Sequence, residues 1–247
     1  MNKLLQPGRI IFATGTIALG VLCILMKDFI VGRPPAWPAD YAAINPVLGY
    51  ITGIVMIISG MIILVRKQAG VAALQVAILI ICFSLTRLLP NFTANWLAAF
   101  KSMALFGGAL IVACSYPAYA TKTNLKNGIV FTGCLLLAAF FIAGGYAHFA
   151  YEAFLIDFIP AYIPFHAFWA YFCGVCLFAG GIGIIIPQTR RLAALLSGIM
   201  LLGWFALLHI PRFLADTNNP GDRMGLCESF TFCGIFFVLA AMSPKKN

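Results

Sequence analysis

Charge is scarce in this chain. Lys, Arg, Asp and Glu make up 9% of its 247 residues, with only seven acids and three histidines, where a soluble domain carries about 25% charged residues. So little charge cannot cover a water-facing surface. Several signatures are missing as well. There is no CxxCH haem attachment sequence, no GxxxxGK[ST] phosphate loop, no GxGxxG dinucleotide pattern and no HExxH. A covalently held haem, a nucleotide bound through either loop and a zincin-type metal site are thereby excluded. Any redox group would be a diffusible quinone or another non-covalent molecule.

Apolar residues fill the space that charge leaves. They make up 62% of the chain, and the mean hydropathy is +0.99. Runs of about 20 apolar residues, enough to cross a ~30 Å hydrocarbon core, begin near Arg9, Pro46, Gly70, Trp96, Gly128, Phe165, Arg191 and Met224. They are too long and continuous for the alternating pattern of an outer-membrane barrel, so the expected fold is all-α with eight transmembrane helices. The start MNKLLQPGR followed by an apolar stretch is similar to a secretory signal. Retention is expected, because that stretch has a partner later in the chain. No lipobox precedes Cys23.

The net charge of +9 is explained by its distribution. Numbering the ends and loops alternately puts Lys3, Arg9, Arg66, Lys67, Lys122, Lys126, Arg190, Arg191, Lys245 and Lys246 on one side with no acid. The other side holds six cations (Lys27, Arg33, Arg87, Lys101, Arg212, Arg223) and all seven acids (Asp28, Asp40, Glu152, Asp157, Asp216, Asp222, Glu228). Lys and Arg accumulate in cytoplasmic loops, so both termini are expected inside. The basic balance reports topology and implies a lipid partner, with no nucleic acid. His148, His166 and His209 all fall at outer helix ends.

The eight cysteines lie mostly within helices, where the ordinary use is packing. CGVC at 173–176 is a CxxC inside a span, without the strand-to-helix context of a thioredoxin-like site. Cys23 and Cys227, both near the outer surface, are candidates for a disulfide in an oxidising compartment; their spacing leaves this open.

The chain also repeats itself. YITGIVMIISGMIILVRKQAGVAAL from Tyr50 aligns without a gap on YFCGVCLFAGGIGIIIPQTRRLAAL from Tyr171, and the register continues to Pro90 and Phe92 over Pro211 and Phe213. Neighbouring registers carry Gly20 onto Gly145 and Ser102 onto Ser229. Four helices per half is an even number, so the copies run the same way. The expectation is two parallel-related four-helix bundles, residues 1–122 and 123–247, with small residues at helix contacts. The Pro-rich stretch 31–40 cannot be helical throughout, and the rings of Phe158, Tyr162, Phe165 and Trp169 suit an interfacial aromatic belt.

The halves differ at a few positions. Cys23, Lys27, Leu88 and Lys101 in the first correspond to His148, Glu152, His209 and Glu228 in the second. His148 and Glu152 are four apart, a spacing that lets them pair on one helix face. Glu228 falls about one turn inside the last helix, where an acid needs a partner. The candidate site is therefore His148, His209 and Glu228, as a proton-exchange or ligand cluster. Glu152 supports it, and so does Lys101, which either anchors at the surface or pairs with Glu228. Snorkelling boundary residues are the alternative. Two His and a Glu are a possible Zn or Cu ligand set, although no recognised metal motif is present.

The run from GYAHF through IPAYIP to FWAYFCGVCLFAGGIGIIIPQTRRLAALL, closing with LHIPR, resembles the DoxX family of bacterial four-helix membrane proteins. The second half matches along nearly its whole length, and the first, with GRPPAWPA and FKSMALFGGALIVA, resembles a more diverged copy. The resemblance implies a four-helix bundle per repeat in the bacterial inner membrane, beside respiratory or thiol-linked oxidoreductases. One branch of the family includes a subunit of a thiosulfate:quinone oxidoreductase; another is associated with membrane complexes that handle oxidative stress. The family's GxxHF-like histidine maps onto His148 and its His before Pro onto His209. The expected function is a membrane component of quinone- or thiol-linked redox chemistry, with a non-covalent quinone as the candidate cofactor and an oxidoreductase as the candidate partner. A non-enzymatic scaffold or small-molecule carrier is the alternative, and the residues do not decide whether catalysis occurs.

Overall fold

A computed structural model describes residues 3–37, 39–41, 43–65, 68–117 and 123–244. Arg66, Lys67, Lys122, Lys245 and Lys246 of the basic side, and the expected boundary at 122, lie outside the described residues or at their edge. The described residues are helical with no strand. Eight helices are long and apolar enough to cross a membrane. We number the helices α1 (Leu5–Met26), α2 (Asn45–Val65), α3 (Ala69–Leu88), α4 (Trp96–Cys114), α5 (Thr123–Ala150), α6 (Glu152–Phe158), α7 (His166–Ile185), α8 (Arg190–Trp204), α9 (Ile210–Ala215) and α10 (Pro220–Met242). α6 is a short surface turn. α8 and α9 form one span, joined through a π-type turn at Phe205–His209.

Local chemistry sets the ends. α1 stops where Lys27 adopts a left-handed conformation (φ 53°) and its N–H caps the last carbonyls. α10 starts four residues before the apolar run, because the Asn219 side chain accepts from the Gly221 and Asp222 N–H groups and Pro220 opens the helix.

The helices interlock across the halves. α1 packs chiefly on α2 and α10, α4 on α3, α5 and α10, and α8 on α7 and α10. The sequence suggested a separate bundle for each half, but α10 stands between α1 and α4 and packs on both. It is the central helix, with 72% of its apolar window buried against 22% for the α8–α9 span. Close crossings use glycine. A methyl at Gly20 would lie 2.7 Å from the Gly53 carbonyl oxygen where α1 meets α2, and one at Gly145 would lie 3.0 Å from that of Gly174 where α5 meets α7. Gly234 and Gly133 make equivalent approaches of 2.7 Å to the carbonyls of Gly8 and Gly107, at α10–α1 and α5–α4.

After α1 the chain turns back into the protein. Phe29 and Val31 are fully buried and Ile30 nearly so. Backbone polar groups buried in this way need partners, and side chains supply them. Arg87 donates to the Phe29 and Pro35 carbonyls at 2.8 and 2.7 Å, Ser84 donates to the Val31 carbonyl at 3.4 Å, and the Gly32 N–H donates to Glu228 at 2.9 Å. Gly32 sits at φ 83° with Ser102 directly beneath it, a place and a conformation that both require glycine.

Candidate functional site

Two neighbouring regions are candidates, and they meet at the end of the molecule where α1 ends and α10 begins. The first is a network of buried ion pairs. Glu228, 3% exposed, accepts from Lys101 Nζ at 2.7 Å and from the Gly32 N–H at 2.9 Å. Arg33 stands 3.9 Å away and donates to the Gly221 carbonyl at 2.8 Å. Asp28 and Arg87 form a bidentate pair at 2.8 and 2.9 Å, with the guanidinium over the Trp37 ring. Asp222 accepts from Arg212, which also donates to the Phe158 carbonyl and lies over the Phe158 ring. Lys101, one of two options by sequence, is thus the partner of Glu228. Arg87 is buried as well, 4% exposed.

The second region is a cleft in the other half. An apolar groove of about 810 Å³ runs between α7 and α8, lined by Phe172, Cys176, Ile182, Met200, Gly203 and Leu207 among others. That volume falls in the ~300–1,000 Å³ range of small-molecule sites. At one end the groove meets a nook of about 210 Å³ lined by His148, His209, Phe158 and Leu208. Trp169, Cys173, Met200 and Trp204 line both. The tryptophans meet edge to face at 5.8 Å, and Trp204 Nε1 donates to Cys173 Sγ at 3.0 Å.

His148 and His209 therefore share a cavity, and Glu228 does not line it. His148 Nδ1 is 2.8 Å from the Gly144 carbonyl. A carbonyl only accepts, so Nδ1 carries a proton, and in the neutral form of the ring Nε2 is then the acceptor. His209 lies in the π-type turn, a feature frequent at functional sites. Its Nδ1 is buried without a hydrogen-bond partner among the described residues. It faces Gly225, where a Cβ would lie 2.9 Å away, one turn before Glu228. His209 thus stands between the nook and the ion-pair network.

Glu152 departs from expectation. α5 ends at Ala150, and Tyr151 (φ −121°, ψ 41°) breaks the helix. Glu152 opens α6 and is exposed, so the four-residue spacing to His148 does not place them on one face. The metal-ligand alternative also lacks geometric support, since no group of three His, Cys, Asp or Glu suited to a metal ion occurs among the described residues. All eight cysteines are free thiols, Cys23 and Cys227 included.

The sequence did not single out Arg33, Gly32, Trp204 or the Asp28–Arg87 and Arg212–Asp222 pairs, and it read Trp169 as part of an interfacial belt where the structure has it line both cavities. Asp222 had the best available signal, an acid just after an Asn-Pro helix start. A family model described as "Domain of unknown function (DUF8561)" matches residues 137–223. No curated protein and no solved structure matches the chain. The matched stretch contains every residue lining the groove and the nook, and it ends before Glu228.

Proposed function

We propose that this chain is a DoxX-like inner-membrane protein of two duplicated units, 1–122 and 123–247, with both termini cytoplasmic. In this reading the second unit holds a prenylated quinone for a partner oxidoreductase. The duplication is supported by the glycine crossings. The register that carries Gly20 onto Gly145 also carries Gly8 onto Gly133, and those carrying Gly53 onto Gly174 and Gly107 onto Gly234 complete the same contacts. The topology is supported by the four ion pairs among the described residues, which all join residues of the acid-bearing side.

The quinone reading rests on one observation: an apolar groove open along α7 and α8 leads into a small aromatic nook bearing two histidines. A polyprenyl tail suits the groove, and a one- or two-ring head suits the nook. There His148 would help hold the head, and its Nε2 would be the acceptor for a hydroxyl proton of the reduced form. When bound, a quinone supplies two-electron redox chemistry that no side chain here performs alone.

Titration of the purified protein with a short-tailed quinone, followed by Trp169 and Trp204 fluorescence, tests this. Saturable quenching near one quinone per chain is expected, and it should be lost in Gly203→Leu. Gly203 lines the groove with open space where a Cβ would stand, so the variant fills the site without disturbing the core. Quenching that does not saturate, or that survives Gly203→Leu, overturns the reading. One observation favours the scaffold or carrier alternative: Glu228 is occupied by Lys101 and Gly32, which suits holding helices together better than exchanging protons.

A further inference from the structure

We infer that Cys173 and Cys176 are a dithiol that reduces the quinone held in the α7–α8 groove, an inference that rests on the quinone reading above. Of the eight cysteines, these two alone line the groove, and Cys173 also lines the nook. Each is therefore placed against the molecule that the groove accepts. The two stand three residues apart on α7.

Packing alone explains most membrane cysteines, but Cys173 has a further feature. Trp204 Nε1 donates to its sulfur at 3.0 Å. A fixed donor on Sγ stabilises negative charge developing there as the S–H proton leaves, and the thiolate is the reactive form. The same indole is a wall of the nook, so the donor, the sulfur and the expected ring position meet at one point.

Side chains three apart on a helix have Cβ atoms about 5–6 Å apart, and a disulfide takes roughly 3.5–4.5 Å. Closing the pair tightens the turn by about 1–2 Å. Of the two residues inside that turn, Val175 is exposed and Gly174 packs against His148 and Phe149 of α5. In the step, Cys173 and Cys176 lose two electrons and two protons and form one S–S bond. The same two electrons and two protons convert the quinone to the hydroquinone. For further turnovers an external dithiol reopens the disulfide by exchange.

The test uses full-length protein, reduced with dithiothreitol, desalted under argon and mixed with a short-tailed benzoquinone whose ring carbons are all substituted, so that thiols cannot add to it. Alkylation and peptide mass mapping count the free thiols while absorbance follows the quinone. One hydroquinone should form per chain as Cys173 and Cys176 alone become protected, in a peptide two hydrogens lighter. Cys173→Ser and Cys176→Ser should each lose hydroquinone formation at least tenfold, and Trp204→Phe should slow it with both thiols intact. If wild-type protein is quenched and all eight cysteines stay open to alkylation, the dithiol inference fails and quinone binding stands. If quenching itself is absent, the quinone reading fails and takes the inference with it.

Discussion

At the residue scale, the Glu228 carboxylate accepts two hydrogen bonds of different kinds, from a Lys101 ammonium of the other half and from the backbone of Gly32. Burying charges is costly, and removing one member of a buried pair typically destabilises by about 3–5 kcal/mol. Lys101→Met leaves the buried carboxylate with only the half-exposed Arg33, 3.9 Å away, as a counter-charge. Glu228→Gln keeps an acceptor for the Gly32 N–H but turns an amide toward the ammonium. Each single change should lower the unfolding midpoint in detergent markedly, and the double change should cost clearly less than the sum. Equal additive losses would mean that the two side chains act independently. Lys101 was readable as a partner because its position corresponds to Glu228 between the halves. Gly32 was not, since nothing local distinguishes a buried loop N–H from an exposed one.

At the element scale, helix contacts depend on backbones approaching at glycine, where small residues replace the hydrophobic driving force that lipid removes. Gly53→Val and Gly174→Val should each lower the unfolding midpoint, because a Cβ there would lie 2.6 Å from the Gly20 carbonyl oxygen or 2.8 Å from the Phe149 ring. Gly128→Ala, in open space on α5, should leave the midpoint unchanged or slightly raised, given alanine's better helix propensity. A fall at Gly128 as large as at Gly53 would remove the distinction. The long helices were legible because spans announce themselves by apolar length. The break at Tyr151 was not, having neither Gly nor Pro to mark it, and it is what separates Glu152 from His148. Phe29, Ile30 and Val31 were equally opaque, because an apolar triplet after a helix reads the same whether it meets lipid or folds back inside.

At the scale of the whole molecule, the proposed sidedness can be measured. In a variant with every cysteine replaced, a cysteine at Thr217 should react with an impermeant maleimide added outside intact cells, and one at Gln188 only after permeabilisation. The reverse pattern would invert the topology. The cavity was not legible from sequence for a geometric reason: its lining comes from α5 to α8 and the π-type turn after it, and apolar residues facing a groove are no different in type from those facing lipid. The interlocking of halves was hidden likewise, since a duplication fixes which helices correspond but not which of them touch.

That interlocking has a consequence for synthesis. Lys101 and Glu228 are 127 positions apart, so at roughly 5–20 residues per second the ammonium waits on the order of 6–25 s for its counterion. Throughout that interval the nascent protein carries an unneutralised cation and an open seam between α1 and α4. Biogenesis therefore ends with a keystone, because α10 fills the seam, quenches the stranded charge and fastens the early loop in one event.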